Sequence, residues 1–484
     1  MIALTVGEIA AVIGVPVPES GADTVVTGVE FDTRRLRPGA MYVALQGERV
    51  DGHDFAAAAV AAGAVAVLGS RELPELSAVS VPVLRVADAD AVLTALSALA
   101  RHSVDALVQR GLTVVGLTGS SGKTSTKDLT ASVLRAGFGQ DEVIAPPESF
   151  NNELGHPYTA LQADESTAFL VLELSARGVG HIAALAATAP LRIGAVLNVG
   201  TAHLGEFGSV DAIAQAKGEL VEALPGAADG GIAILNADDP RVLAMAARTT
   251  AEVVLVGTVP QAQIRAVDTA GDSAARASFT LVTPEGSAPV QLSVVGAHQV
   301  SNALVAAAVG RAAGMSVEAV ATALSASAPA SKWRMEITDR PDGVTIINDS
   351  YNANPDSMRA ALQSLAVIGE HRHTWAVLGE MAELGDAAQQ FHDQIGRLVV
   401  RLGVDRLIVV GQAARALHLG AHLEGSWGGE SEIVDDIDAA LAVLATDLEP
   451  GDVVLVKASR SVGLDRLASA LLAPAAATTV QEHS

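Results

Sequence analysis

The sequence of 484 residues predicts an α/β protein of three domains, the middle one a doubly wound parallel sheet. Three observations predict it. At about 150 residues per domain the length gives three units. Beyond about residue 109, short apolar runs alternate with helix-like segments, the pattern of parallel strands covered by helices on both faces. One of those runs, Leu112-Thr-Val-Val-Gly-Leu117, passes straight into Thr118-Gly-Ser-Ser-Gly-Lys-Thr-Ser125, a glycine turn that opens a helix.

The first domain, residues 1–108, holds short apolar runs broken by turns, such as Met41-Tyr-Val-Ala-Leu45 before Gly47-Glu-Arg. Its uncharged stretch 55–70 falls short of the roughly 20 residues that span a bilayer. It reads as a helix and a strand in a soluble core. The start, Met-Ile-Ala-Leu-Thr-Val-Gly-Glu, lacks basic residues and carries Glu8, so no signal peptide is expected. In the second domain, 109–327, strands are expected at 112–117, 168–172, 193–197 and 231–235. The helix after the glycine turn shows Leu129 and Val133 at helical spacing. Residues 258–289 are richer in Thr, Ser, Asp and Gly and read as an antiparallel excursion or loops. Ala-Ser-Ala-Pro-Ala-Ser at 326–331 reads as a linker into the third domain, 328–484, with strands expected at 344–347, 374–378, 407–410 and 453–456. The Ala/Thr-rich tail from residue 473 is expected to fray.

Half of the chain is hydrophobic but only 3% aromatic, so the cores are aliphatic. The formal charge of −24 disfavours nucleic acid and anionic membrane, which are gripped through basic surface. With no cysteine, disulfides, thiolate metal sites and cysteine nucleophiles are excluded. A cytoplasmic, monomeric protein without membrane insertion is expected.

The residues that carry chemistry begin at the glycine turn. Backbone N–H groups of Gly119, Ser120, Ser121, Gly122 and Ser125 converge on anionic oxygens at a helix N-terminus. Lys123 adds a point charge, and Thr124 offers a hydroxyl to a magnesium ion. The longer general form of this loop needs glycine where Leu117 stands, so the match is to the shorter Thr-Gly-x-x-Gly-Lys-Thr form. Ligands in such sheets bind beyond the carboxyl ends of the strands. Glu173 ends one strand, Asn198 another, and His203 follows in Val-Gly-Thr-Ala-His-Leu. Alone, Glu173 reads equally as a metal ligand or a solvated strand end, and His203 as an ordinary hydrogen-bonded histidine; beside a phosphate loop both become functional candidates. Lys217, on an expected helix after Asp211, reads by itself as a solvated lysine. His371 and His373 read as surface residues rather than a metal pair.

Read together, these strings resemble the Mur ligases of peptidoglycan synthesis over nearly the whole chain. The resemblance rests on Thr118–Ser125, Asn151-Asn-Glu-Leu-Gly155, Asn198-Val-Gly-Thr-Ala-His-Leu-Gly-Glu-Phe-Gly208, Ala216-Lys-Gly-Glu219, Asn236-Ala-Asp-Asp-Pro240 and His298…Asn302-Ala-Leu, in that order. Asp349-Ser-Tyr-Asn-Ala-Asn-Pro355 and Leu378-Gly-Glu-Met-Ala-Glu-Leu-Gly385 resemble the branch that adds D-alanyl-D-alanine. The Asp-Asn-Pro-Arg string usual in the diaminopimelate-adding branch is absent.

The resemblance implies an N-terminal UDP-sugar-binding α/β domain, a central P-loop ATPase-like sheet and a Rossmann-like C-terminal domain. It implies an ATP-dependent amide ligase acting through an acyl phosphate, with UDP-N-acetylmuramoyl-tripeptide and D-alanyl-D-alanine as partners. Two Mg2+ ions are implied, held by Thr124, Glu173, His203 and a CO2-derived carbamate on Lys217. Asn302 is implied to face the adenine, and Arg334 and Asp349 to complete the nucleotide site from the third domain. Thr33 and Arg34 match the uridine-site region, where a surface turn before Pro38-Gly39 is the plainer alternative. Asn151, Asn152, Ser175, Arg177, Asn352 and Asn354 are the remaining substrate candidates. In two places the chain departs from the family pattern. Leu174-Ser-Ala-Arg-Gly-Val-Gly180 replaces a Gly-rich stretch, and His298-Gln299 replaces a His-Asn pair, which leaves the partner of Asn302 open. Another Mur-type or folylpolyglutamate-type ligase and a non-catalytic nucleotide-binding regulator are the alternatives.

Overall fold

The computed structural model describes residues 1–47, 50–76, 79–425 and 429–473. Glu48 and Arg49 of the expected uridine-site string, and nearly all of the tail expected to fray, lie outside them.

A nine-stranded sheet organises the middle of the chain. Its parallel part runs Val143–Ile144, Phe169–Glu173, Thr113–Thr118, Ile193–Val196, Ile232–Asn236, Glu252–Gly257 and Ile264–Gly271 across the sheet. The two remaining strands, Arg276–Thr283 and Gly286–Val295, continue it antiparallel, so the polar 258–289 stretch extends the sheet instead of forming loops. Strands buried on both faces read as unbroken apolar runs, and alternate residues feed separate cores. Val114, Leu170 and Leu235 point into one, Val115, Val171 and Ile234 into the other.

The first core is continuous with that of the N-terminal region. There, Gly28–Glu30, Ala40–Val43, Ala66–Gly69 and Val83–Arg85 form a four-stranded parallel sheet. The stretch 55–70 is the helix Ala56–Ala61 followed by one of these strands. Helix Ala89–Val108 is long and apolar enough, by length and composition, to cross a membrane. Its buried residues Val92, Ala95, Leu96, Leu99, Ala100, Val104 and Leu107 repeat at helical spacing and join the shared core. Tyr158, with its hydroxyl donating to Glu30 at 2.9 Å and its ring against Phe31, fastens the two regions.

The third sheet runs Glu336–Asp339, Thr345–Asn348, Val453–Lys457, Thr374–Leu378, Arg406–Val410 and Ser431–Val434, parallel but for the first, antiparallel edge strand. Helices cover both faces, with separate cores on each side. His371 is exposed, and His373 packs its ring on Trp375, as the sequence suggests for surface residues.

His156, on helix Gly155–Ala160, is fully buried behind Glu173 and Leu185, and neither ring nitrogen makes a hydrogen bond of good geometry. Burial pulls its pKa down to about 4, against weaker support from the backbone of Glu173 and Leu185. The unfolded chain therefore binds more protons than the folded one between pH 6.5 and 4. Above pH 6.5 the fold carries no protonation penalty from this ring, and stability is lost as pH falls toward 4, by about 3 kcal/mol for a shift of this size. Replacing the ring with His156→Leu is expected to raise the unfolding midpoint at pH 7, because an unpaired buried polar group costs about 1–3 kcal/mol. Denaturant melts at pH 7 and pH 5 check this: the advantage of the variant should widen at pH 5. A variant less stable than the parent at both values would contradict it.

Candidate active site

Strand Thr113–Thr118 ends in the glycine turn, and helix Lys123–Phe138 begins from it. Gly122 caps that helix at φ 81, and a Cβ there would lie 2.6 Å from Asn302 Oδ1, so backbone angle and space both demand glycine. Asn198 braces the turn from the neighbouring strand end. Its carbonyl accepts from the Ser120 N–H at 3.2 Å, its Oδ1 accepts from the Ser121 N–H at 3.0 Å, and its Nδ2 donates to the Ser121 carbonyl at 3.2 Å. Lys123 Nζ reaches back to the Gly119 carbonyl at 2.8 Å. Burial pulls its ammonium down to about 8, with Glu173 opposing and Arg334 reinforcing the shift.

A polar cluster sits beside this turn. Thr124 Oγ1 lies 2.7 Å from Ser149 Oγ and donates to Glu173 Oε2 at 3.2 Å; Asn151 Nδ2 donates to the same carboxylate oxygen at 3.5 Å. Arg334 arrives from the third domain, donating to Thr124 Oγ1 at 3.2 Å and Ser149 Oγ at 3.3 Å, with its guanidinium 4.1 Å from the centre of the Tyr351 ring. Glu173 is fully buried, and burial pushes its carboxyl up against the opposing fields of Lys127, Lys123 and Arg334. Its Oε1 has no partner, nor does Arg334 Nε, although both are buried. Unpaired buried polar atoms are costly, so this cluster is arranged for something that brings charge of both signs. The Thr124 hydroxyl and the Glu173 carboxylate are hard oxygen donors, which suit magnesium.

His203, at φ 59, opens the short helix Leu204–Phe207. Its Nδ1 is 2.6 Å from Glu383 Oε2 and 3.6 Å from Glu206 Oε2, and burial holds its pKa below the usual value against the pull of Glu383. Glu383 belongs to the third domain. Its carbonyl also accepts from the Gly205 N–H at 3.0 Å, and a Cβ on Gly205 would come 2.5 Å from the Gly385 nitrogen. The two domains thus meet backbone to backbone, with a cavity of about 440 Å³ between them.

Lys217 is buried on helix Val210–Glu222. Among the described residues no carboxylate or hydrogen-bond partner faces its amine. Burial, and then the Lys123 charge, hold it well below the usual ammonium range. The cationic form is therefore disfavoured in this place.

Of the residues singled out from sequence, the cavity gathers Ser120, Ser121, Gly122, Lys123 and Thr124. From the same side come Asn151, Asn152, Ser175, Arg177 and His203, and from the third domain Arg334, Asn352 and Asn354. Gly119, within the turn, and Glu173, which bonds Thr124, stand back from the cavity wall, and Ser125 lies on the opposite flank of the helix start, in a small recess with Gln299. Arg177 is largely exposed, 3.8 Å from Glu206. Asn354 spends its Oδ1 capping helix Pro355–Ile368, and the carbonyl of Asn352 accepts from Lys457. Asp349 is outside the cavity wall, with Oδ2 taking Lys457 Nζ at 2.6 Å and Oδ1 the Met335 N–H at 3.1 Å. Asn302 likewise lies behind the turn, and its open partner is Gln299, whose Oε1 accepts from Asn302 Nδ2 at 2.8 Å. Thr33 and Arg34 border a separate cavity of about 900 Å³ in the N-terminal region, where Arg34 pairs with Asp32 and is mostly exposed.

Sequence reasoning missed Ser149, Glu383 and Arg460, all on the cavity wall. Ser149 stands two residues before the Asn151-Asn152 pair, and Glu383 lies inside the 378–385 string, so both carried a signal. Arg460 carried only its place after the strand Val453–Lys457.

A phosphate-type loop on a parallel sheet, closed by a second α/β domain that lends an arginine, defines an enzyme of nucleotide-driven chemistry in an interdomain cleft. The chain belongs to the Mur ligase family: residues 25–101 match its catalytic domain, 117–310 its middle domain and 333–460 its glutamate ligase domain. It is 52% identical to the UDP-N-acetylmuramoyl-tripeptide–D-alanyl-D-alanine ligase of Mycobacterium tuberculosis over 98% of both chains. It is 34% identical to the protein of the same name from Escherichia coli, over 93% of this chain and 95% of that one. Among solved structures, MurF from Acinetobacter baumannii superposes with a TM-score of 0.81 at 29% identity, covering 97% of this chain and 99% of that one. MurF from Thermotoga maritima in complex with ADP gives 0.74 at 28% identity, covering 92% and 96%.

Proposed function

We propose that this protein is a cytoplasmic ATP-dependent amide ligase that joins D-alanyl-D-alanine to UDP-N-acetylmuramoyl-tripeptide. The observation that carries the proposal is the cluster around Thr124. Buried atoms left without partners, Glu173 Oε1 and Arg334 Nε, are supplied by two different domains to one phosphate-type loop. Near-full-length identity to ligases of that name supports the choice of substrates.

In this reading a carboxylate oxygen of the tripeptide attacks the γ-phosphorus of ATP, the bond to the β-phosphate oxygen breaks, and ADP leaves an acyl phosphate. The dipeptide amine then attacks the acyl carbon, phosphate departs, and the amine releases its surplus protons. The chain's task is to bring repelling oxygens together. The loop amides that Asn198 leaves free, with Lys123, hold the phosphates, Arg334 closes over them from the third domain, and Asn151, Asn152, Ser175, Arg177, Asn352 and Asn354 face the reacting ends. Thr124, Glu173, His203 and a carbamate formed on Lys217 by CO2 would hold two Mg2+ ions, which when bound neutralise phosphate charge. Thr33 and Arg34 border the cavity assigned to the UDP moiety, and Asn302 and Asp349 are assigned to the nucleoside side through the groups they hold in place. The three functional units divide near residues 108 and 327, and one copy of the chain suffices.

Phosphate release from ATP is expected only when UDP-N-acetylmuramoyl-tripeptide and D-alanyl-D-alanine are both present. Release driven by a different sugar–peptide acceptor, or by neither, would refute the substrate assignment.

A further inference from the structure

We propose that Lys127 is a positioning residue that fastens the 145–152 loop, and with it Ser149 and Asn151, against the Thr124–Glu173 face of the site; this rests on the ligase reading above. Lys127 lies one helical turn beyond Lys123 and is 1% exposed, one of the largest side chains to be fully buried. A buried ammonium is expensive unless its donors are used. Here Nζ donates to the Pro146 carbonyl at 2.7 Å and lies 2.8 Å from Asp128 Oδ1.

Phe150 packs its ring on Tyr158, but the stretch before it has few polar ties besides this one. Pro146 and Pro147 have no N–H to give, and among the described residues no backbone–backbone hydrogen bond holds 146–150. The polar ties in that stretch are the Lys127 bond at one end and Ser149, bonded to Thr124 and Arg334, at the other. Asn151 then bonds Glu173 through Nδ2 and takes the Ser175 N–H on its carbonyl at 3.1 Å. A connection four residues long therefore links the buried ammonium to the hydroxyl that touches Thr124. Without the anchor, Ser149 and Asn151 keep their chemistry but lose their fixed place. Groups that orient metal-facing side chains in this way are worth about 10–100-fold in metal affinity.

The test measures ADP binding by full-length protein, with and without Mg2+. Lys127→Met is expected to weaken binding about tenfold when Mg2+ is present and to leave Mg2+-free binding within about twofold. Lys127→Arg, which keeps a buried cationic donor, is expected to recover most of the loss. Ser149→Ala should reproduce the Mg2+-specific loss, and adding Lys127→Met to it should cost nothing more, since both act on one loop. Equal losses with and without Mg2+, or additive effects of the two changes, would overturn the inference. If Lys127→Met does not fold, Pro147→Gly at an exposed position loosens the same loop without touching the ammonium. An undiminished Mg2+ response in that variant would also overturn the inference. Parent protein that binds no ADP under either condition would instead remove the ligase reading, and this inference with it.

Discussion

Lys123→Ala is expected to lower turnover about a thousandfold while leaving the protein folded. The reason for so large a loss is that Lys123 is the cation built into the turn itself, and Arg334, which comes from another domain, cannot take its place at the Gly119 carbonyl. The reason for retained folding is equally specific. Lys123 makes a single hydrogen bond and no ion pair among the described residues, and burial already disfavours its charge. Removing it relieves a desolvation cost and opens little apolar surface. Steady-state phosphate release and a thermal melt check the two halves together. Activity within tenfold of the parent would remove Lys123 from the phosphate site; loss of the cooperative melt would show that the side chain holds the fold.

Lys217→Ala is expected to reduce activity about a hundredfold or more, and a small carboxylate such as formate or acetate is expected to restore part of it. Lys217 has no acidic partner among the described residues, yet it is buried and within the field of Lys123. As an ammonium it would repel both Lys123 and any divalent ion; as a carbamate it presents an anion on the same stem. Truncation to alanine leaves room for a free carboxylate to occupy that position. Parent protein depleted of CO2 should show a matching loss, reversed by bicarbonate. If neither treatment moves the rate, the lysine acts as an amine and the carbamate assignment fails.

Much of the architecture could be read from the chain because strands buried on both faces have few ways to be written. Runs such as Phe169-Leu-Val-Leu and Val453-Val-Leu-Val carry their own signal, and the glycine turn after residue 117 fixes which strand ends face the ligand. The polar segment 258–289 was less legible. Its strands have one exposed face, and the alternation there competes with turn residues. In the site, residues that act from a strand end or helix start, such as Lys123, Thr124 and Glu173, were visible, since topology alone places them. Residues that cross between domains left no local sign of the crossing: Arg334 was reached only through the family resemblance, and Glu383 not at all. Glu383 meets His203, which lies 180 positions earlier in the chain, through a contact that no local pattern encodes. Asn302 and Asp349 show the converse: the motifs containing them were recognisable, but their side chains are committed to Gln299 and Lys457.

In the proposed reaction the cleft joins two substrates by first moving a phosphoryl group onto a carboxylate. Following a single oxygen atom reveals whether it does. With the terminal carboxylate of UDP-N-acetylmuramoyl-tripeptide labelled with heavy oxygen, complete turnover with ATP and D-alanyl-D-alanine should deliver one labelled oxygen to each phosphate released. Phosphate free of label, alongside normal amide formation, would contradict the account.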